Sequence, residues 1–254
     1  MINNCSQCGS PVKEGYKFCS LCGAQVPGPV QPNAVSGGTM PYSTYTGIEG
    51  RALRVLTGKQ SGRFYSIFPS VSIGRSAADI IIEDDSTISH VHARVFCDND
   101  SVYLEDLNSL NGVFFRVKDK VMLNHNDIIQ AGRSFFLFEN IEADEFVDSS
   151  GTEFYASPQR GERFRLTEII GKGLRGCVLT APDTGITIGR SEGNFIFAND
   201  VYMNPLHFSI RWIQRGAVLI DHDSVNGTFV QLHDVTPLKS GDEFFVGRTL
   251  FTLV

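Results

Sequence analysis

The stretch that decides the fold is IGRS at residues 73–76, because the same four letters return at residues 188–191, an offset of 115 (from 73 to 188). Sliding the sequence over itself by this offset requires no insertion from Gly74 to Val254. The offset pairs further identical residues: His92 with His207, Asp106 with Asp221, Ser109 with Ser224, Asn111 with Asn226, Gly132 with Gly247 and Phe136 with Phe251. So many identities at one offset predict two copies of one domain. We call residues 50–141 the first repeat and residues 161–254 the second repeat.

Both repeats have the pattern of short strands separated by turns. Runs rich in β-branched or aromatic residues, such as 101–105, 134–138, 217–220 and 250–253, lie between clusters of Gly, Pro, Asn and Asp. Neither repeat has an apolar period of 3.6 residues long enough to predict a helix. The sequence therefore predicts a mostly β protein in which each repeat is a β-sandwich.

Four of the six cysteines form two CxxC motifs near the N-terminus: Cys5, Cys8, Cys19 and Cys22. Two such pairs supply four thiolates, which is the ligand set of a closed structural zinc site. Their clustering argues against a disulfide framework, although two disulfides, an iron site and a redox pair remain alternatives. The pattern CxxCG…FCxxCG resembles the zinc ribbons that open many prokaryotic regulatory proteins. We predict that residues 1–24 form such a ribbon, with zinc as a structural cofactor.

Two segments have the composition of linkers. Residues 25–49 are rich in Pro, Gly, Ser and Thr, with too few large aliphatic side chains to offset the entropy of ordering. Residues 142–160 begin acidic and continue with Ser, Gly and Pro. The predicted domains are therefore residues 50–141 and 161–254. Cys97 and Cys177, which stand alone in them, are predicted to be small buried hydrophobes.

Composition and charge argue against several classes of function. The net charge of −6 argues against a general nucleic-acid or membrane-surface binder, which would carry a basic face. No stretch approaches the roughly 20 apolar residues of a membrane span. The first residues lack a positive region followed by an apolar core, so we expect no secretory signal and a cytoplasmic protein. No Ser–His–Asp order, P-loop or dinucleotide fingerprint is present, and we predict no catalysis.

The first repeat combines Gly-Arg at 74–75, Ser-His-Val-His at 89–92 and Asn-Gly at 111–112. This order and spacing resembles the signature of the forkhead-associated domain. The resemblance covers both repeats and implies an eleven-stranded β-sandwich whose loops hold a phosphothreonine in a short extended peptide. Such a protein would be a non-catalytic adaptor whose partners are substrates of a Ser/Thr kinase. The alternative is a phospho-independent scaffold, in which both repeats form constitutive interfaces.

The resemblance gives each matched residue a role. Arg75 would offer a planar charged fork to two phosphate oxygens, and Ser89 would donate its hydroxyl to another. Asn111 would bond to the peptide main chain. His90 would be a second donor to the phosphate, cationic only at lower pH. Two residues in each repeat are implied to be structural: Gly74, His92, Gly189 and His207.

The second repeat departs from this pattern. It keeps Arg190 and Asn226, but Asn204 stands in place of the serine and Pro205 follows it. The amide oxygen of Asn204 would face phosphate oxygens, and Pro205 has no N–H to donate. We therefore predict that the second repeat is folded but binds phosphothreonine weakly or not at all.

Overall fold

A computed structural model describes residues 51–141, 149–153, 155, 157, 161–171, 174–181 and 184–254, together with the backbone of residues 3–4 and 11–12. The predicted linker at 25–49 lies outside the described residues, as does part of the one at 142–160. All regular elements described are β-strands, which confirms the predicted class. No helix in this part of the chain is long and apolar enough to cross a membrane.

The strands are numbered in chain order. Their bounds are β1 Asn3–Asn4, β2 Pro11–Val12, β3 Ala52–Val55, β4 Phe64–Ser66, β5 Ser70–Gly74, β6 Ile80–Ile81, β7 Ala93–Asp98, β8 Ser101–Asp106, β9 Val113–Arg116, β10 Lys120–Leu123, β11 Ile128–Ala131, β12 Ser134–Asn140, β13 Phe164–Gly171, β14 Leu174–Ala181, β15 Ile186–Gly189, β16 Phe195–Ile196, β17 Phe208–Ile213, β18 Gly216–Asp221, β19 Thr228–Gln231, β20 Thr236–Leu238, β21 Glu243–Val246 and β22 Thr249–Leu253.

Beyond the short β1–β2 pair, the strands form two compact units that do not coincide with the two repeats. Unit 1 takes its residues from Met1–Phe114 and Leu232–Val254, and unit 2 is the continuous segment Phe115–Gln231. The last three strands of each repeat therefore lie in the unit built on the other repeat: β20–β22 in unit 1 and β10–β12 in unit 2. We call this the strand exchange. The predicted boundaries at 50–141 and 161–254 follow the repeats, whereas the compact units follow the exchange.

Each unit contains two sets of five hydrogen-bonded strands. In unit 1 the orders are β20-β8-β7-β5-β6 and β9-β21-β22-β3-β4. In unit 2 they are β10-β18-β17-β15-β16 and β14-β13-β12-β11-β19. Each strand of one unit corresponds to a strand of the other at the offset of the repeat, so the two units have the same topology. Ten strands are described in each sandwich, one fewer than the resemblance implies.

Aromatic side chains of the exchanged strands fill the core of the unit that receives them. In unit 2, Phe136 and Phe138 of the first repeat are fully buried. Their ring centroids lie 6.0 Å from Phe208 and 5.4 Å from Phe164 of the second repeat, respectively. Burying one such side chain contributes about 1.5–3 kcal/mol. The hydrophobic cores therefore hold the exchanged strands in place.

The two lone cysteines are less buried than predicted. Cys97 is partly exposed and Cys177 is exposed, so the prediction that both are buried was wrong. Cys177 lies on β14, the edge strand of its sheet, where Leu174 and Val178 are exposed as well. An apolar run on an edge strand is not by itself a sign of burial.

Candidate functional site

Three loops of unit 1 come together beside β5 and β7. Loop A is residues 75–79, loop B is residues 82–92 and loop C is residues 107–112. Every residue of the first repeat that the sequence predicted to contact a ligand lies on one of these loops: Arg75, Ser89, His90 and Asn111.

Backbone hydrogen bonds tie loop A to loop B. Arg75 N–H donates to Ser89 O at 2.9 Å, and Ala77 N–H donates to His90 O at 3.0 Å. The approach requires a glycine just before loop A, because a Cβ on Gly74 would lie 2.2 Å from His90 O. Gly74 thus permits the close approach of loop A to loop B.

The Arg75 guanidinium is anchored at one nitrogen and open at the other two. Its Nε donates to Ile88 O at 3.2 Å, which holds the group beside loop B. Its terminal nitrogens have no partner among the residues that the structure describes. A planar cation held in this way presents two parallel N–H donors to a phosphate or a carboxylate.

The Ser89 hydroxyl accepts one hydrogen bond and keeps its own hydrogen to donate. Leu110 N–H donates to Ser89 Oγ at 3.1 Å, which joins loop C to loop B. A hydroxyl combines one donor with its acceptor lone pairs. No acceptor for the Ser89 O–H lies among the described residues, so this group can donate to an anion bound by Arg75.

His92 joins loops B and C from below and is completely buried. Its Nδ1 accepts from Ser89 N–H at 3.0 Å, so the proton of the neutral ring is on Nε2, which donates to Gly112 O at 3.0 Å. Burial lowers the pKa of His92, while the Gly112 carbonyl and the carboxylates of Asp106 and Asp85 oppose this effect. The ring is therefore a neutral structural link at physiological pH.

Asn111 and His90 complete the open face of the loops. Asn111 Nδ2 donates to Thr87 O at 2.8 Å, which leaves its Oδ1 without a partner in the described chain. An exposed side-chain carbonyl of this kind can accept an N–H of a peptide main chain. His90 Nδ1 lies 2.6 Å from Ser76 Oγ, so the imidazole ring is held over loop A.

Unit 2 repeats the scaffold of these loops. Arg190 N–H donates to Asn204 O at 2.8 Å, and a Cβ on Gly189 would lie 1.9 Å from Pro205 O. His207 Nδ1 accepts from Asn204 N–H at 2.8 Å, and its Nε2 donates to Gly227 O at 3.1 Å. Burial lowers the pKa of His207, as in unit 1. The backbone framework of the site is therefore present twice.

Asn204 adopts a different orientation from the one that the sequence suggested. Its Oδ1 accepts from Val225 N–H at 3.2 Å, which is the role of Ser89 Oγ towards Leu110 N–H in unit 1. The amide oxygen is turned away because the backbone donor of the neighbouring loop requires an acceptor. The group that Asn204 leaves for a ligand is consequently its NH₂.

Other substitutions make the loop surface of unit 2 less suited to an anion. Pro205 removes the imidazole and the N–H that His90 provides, and Glu192 brings a carboxylate to the position of Ala77. Asn226 keeps its bond to a loop carbonyl, since its Nδ2 donates to Tyr202 O at 2.7 Å. Tyr202 itself, Val201 and Val225 are exposed hydrophobic side chains around this asparagine.

Two aspartates lie beneath these loops, Asp85 and Asp200, and the sequence did not predict a role in the site for either. Both are buried, and each accepts hydrogen bonds from a turn of the other repeat. The repeat alignment contained the signal, because the two carboxylates match at the offset of 115 (from 85 to 200). The acidic run at 83–85 is typical of a solvated surface loop. This interpretation was wrong for Asp85, which is buried.

The predicted zinc ligands Cys5, Cys8, Cys19 and Cys22 lie outside the described residues. The strands β1 and β2 pair antiparallel on either side of residues 5–10, which contain the first CxxC motif. Within the part of the chain that is described, no group of three or more His, Cys, Asp or Glu side chains could hold a metal ion.

Comparison with known proteins assigns these features to families. A family model described as the FHA domain matches residues 71–132 and 186–247, and one described as a zinc-ribbon domain matches residues 4–26. A search of curated proteins gave no match.

The solved structures that are similar to the chain include the following two. One is the crystal structure of the FHA domain of CT664 protein from Chlamydia trachomatis, with 15% identity, a TM-score of 0.33, and coverage of 80% of this chain and 94% of that chain. Another is Mycobacterium tuberculosis EmbR in complex with low affinity phosphopeptide, with 28% identity, a TM-score of 0.24, and coverage of 36% of this chain and 24% of that chain. The family matches, rather than these overall similarities, support the assignment.

The chain therefore contains two forkhead-associated (FHA) domains preceded by a zinc-ribbon domain. FHA domains are phosphopeptide-binding modules of protein interaction and are generally non-catalytic. The glycine, arginine, histidine and asparagine that define the signature all lie within the matched segments and around the loops of units 1 and 2.

Proposed function

We propose that unit 1 binds a phosphothreonine-containing segment of a partner protein that a Ser/Thr kinase has phosphorylated, and that the whole chain is a non-catalytic adaptor. The observation that carries this proposal is that three groups without a partner in the described chain converge on adjoining loops: the terminal nitrogens of Arg75, the hydroxyl hydrogen of Ser89 and Oδ1 of Asn111. The first two suit a phosphate, and the third suits the main chain of an extended peptide.

The test is calorimetry of the full chain with one peptide in two forms, phosphorylated and unphosphorylated on a single threonine, chosen from a phosphothreonine library. We expect saturable binding of the phosphorylated form alone. Equal binding of both forms would favour a phospho-independent scaffold, in which Arg75 is incidental.

We propose the cytoplasm as the compartment of this protein, because clustered CxxC pairs that bind a metal rather than form disulfides are typical of reducing conditions. A net charge of −6 disfavours nucleic acid as a partner.

We expect each full-length chain to bind one phosphothreonine peptide, at unit 1. In unit 2, Pro205 lacks an N–H, and each missing donor lowers the free energy of binding by about 1–3 kcal/mol. Glu192 weakens binding further, because its carboxylate has the same sign of charge as the phosphate. The measurement is calorimetric stoichiometry, with Arg190→Ala as the variant that should leave both stoichiometry and affinity unchanged. Two equivalent sites per chain would show that the Asn204 NH₂ replaces the serine hydroxyl in unit 2.

We also propose that the N-terminal ribbon holds one zinc ion through Cys5, Cys8, Cys19 and Cys22. A segment this short cannot form a stabilising hydrophobic core, so metal binding would supply its folding energy. Metal analysis after purification without chelator should find one zinc per chain, and Cys19→Ser should abolish it. Chelation should leave the thermal unfolding of units 1 and 2 unchanged. Metal-free protein with all four thiols reactive would contradict the proposal.

A further inference from the structure

Asp85 lies beneath loop B of unit 1 and is almost completely buried, with 5% of its surface exposed. Its Oδ1 accepts from Thr87 N–H at 3.0 Å and from Thr87 Oγ1 at 2.5 Å. Burial alone would raise the pKa of Asp85, but hydrogen bonds from Thr87 and Arg248 outweigh this effect and leave the pKa below its ordinary value. The carboxylate is therefore ionised and fixes the conformation of loop B at Thr87.

The other partners of Asp85 come from the second repeat. Arg248 N–H donates to Oδ2 at 2.7 Å and Arg248 Nε to Oδ1 at 3.2 Å, and Thr249 Oγ1 donates to Oδ2 at 3.3 Å. The turn containing these residues joins β21 to β22, two of the exchanged strands. A Cβ on Gly247 would lie 2.6 Å from both Thr87 Oγ1 and Ile88 Cγ1, so the turn packs directly against loop B.

Thr87 connects this buried carboxylate to the open face of the site. Its carbonyl oxygen accepts from Asn111 Nδ2, which leaves Asn111 Oδ1 as the group directed away from the protein. The orientation of the asparagine amide thus depends on the position of a carbonyl that Asp85 holds. Because Arg248 pairs with Asp85, the carboxylate presents little negative charge to an anionic ligand.

Unit 2 contains the same arrangement with the repeats reversed. Asp200 Oδ2 accepts from Arg133 N–H at 2.7 Å and from Ser134 Oγ at 3.0 Å, and its Oδ1 accepts from Tyr202 N–H at 3.1 Å. Tyr202 O in turn accepts from Asn226 Nδ2. The same network therefore occurs twice, formed by different residues in each unit. In both cases a turn of one repeat supports the asparagine of the other repeat.

We propose that Asp85 is the positioning residue of the peptide-binding site in unit 1, and that the turn at 247–249 of the second repeat completes this site. Asp85 acts through Thr87 on Asn111 and touches no ligand itself. The inference rests on the proposed function, since it concerns the residue that would bond to the peptide main chain. The site of the first repeat is then incomplete without the C-terminal strands of the chain.

A double-mutant cycle on the full-length protein tests this proposal, with the affinity for one library-selected phosphothreonine peptide measured by calorimetry. Asn111→Ala should weaken binding about tenfold, as expected for one hydrogen bond to the peptide. Asp85→Asn should weaken binding by a similar factor in the wild-type background and by less than about twofold in the Asn111→Ala background, because coupled residues are not additive. The matched control is Asp200→Asn, which should leave the affinity unchanged.

The outcomes separate this inference from the proposed function. If wild type does not bind the phosphopeptide, the proposed function fails. If wild type binds and Asp85→Asn binds equally well, or loses the same factor in both backgrounds, the positioning role is overturned while the function stands. Should Asp85→Asn not fold, Arg248→Ala decides, since it removes only the Nε bond from a side chain that is 68% exposed. Its expected loss of about two- to threefold must likewise vanish in the Asn111→Ala background.

Discussion

Replacing Arg75 with alanine is expected to weaken the binding of a phosphothreonine peptide by about a hundredfold or more, because a charge-assisted hydrogen bond contributes about 1.5–3 kcal/mol and two are lost. The thermal unfolding temperature should change little, since the side chain makes a single bond to the residues that the structure describes, from Nε to Ile88 O. Titration calorimetry of the full chain gives the affinity, and circular dichroism gives the stability.

Two further variants show whether the geometry of Arg75 or only its charge is needed. Arg75→Lys keeps the charge but not the planar fork, and we expect an affinity between those of wild type and Arg75→Ala. Ser89→Ala removes one donor and should cost less than Arg75→Ala. An Arg75→Ala protein that binds as tightly as wild type would exclude the adaptor proposal and leave the phospho-independent scaffold.

Cleavage of the chain between the repeats is expected to leave a complex that does not dissociate. A protease site can be introduced at Gly151, where φ is +85° and no atom lies within 4 Å of the position of a Cβ. Each unit then contains parts of both fragments, because unit 1 needs residues 232–254 and unit 2 needs residues 115–151. The fragments should elute together from a sizing column under native conditions and separately in denaturant.

The hydrophobic core provides a control for this experiment. Phe136→Ala removes a ring of the first repeat from between Phe197 and Phe208 of the second, and such a truncation costs about 3–5 kcal/mol. The cleaved variant should therefore dissociate at a lower denaturant concentration than the cleaved wild type. Fragments that separate without denaturant, each with an intact β-sheet spectrum, would show that the repeats fold as continuous domains.

Much of the fold could be predicted from the sequence because strand patterns are local. The run at 134–138 lies in β12 and the run at 217–220 lies in β18, each bounded by turn residues as the pattern indicates. The positions of the loop residues were also predictable, since Gly74, Arg75 and His92 recur at the same spacing in the second repeat. Their positions depend on backbone bonds within a single repeat.

The strand exchange could not be predicted from the same patterns. Alternation of apolar and polar residues specifies the face and register of a strand but not which copy of a repeated domain it joins. Phe136 and Phe251 occupy equivalent places in the two repeats, so each side chain fits the core of either unit. The acidic run at 83–85 was interpreted as a solvated loop for the same reason, because the partner of Asp85, Arg248, is distant in sequence and Arg133 would have matched equally well.

The insertion of unit 2 within the chain of unit 1 determines the order in which the protein can be completed during synthesis. Unit 2 is whole once Gln231 has been made, whereas unit 1 must wait for β22 at the end of the chain. Hydrogen bonds such as Leu250 N–H to Thr57 Oγ1 span 193 residues, and loops of this length slow folding.

A folded unit 2 would relieve most of this delay. The two ends of unit 2 are adjacent, since Val117 N–H donates to Thr228 O at 2.8 Å. The segments of unit 1 that precede and follow it are adjacent as well, since Leu232 N–H donates to Val113 O at 2.8 Å. Early folding of unit 2 therefore replaces a long flexible loop with a short closed connection, which lowers the entropy cost of bringing the last three strands back. Until they arrive, the sheet edges of unit 1 are unpaired, and this is the stage at which the nascent chain is most exposed to aggregation.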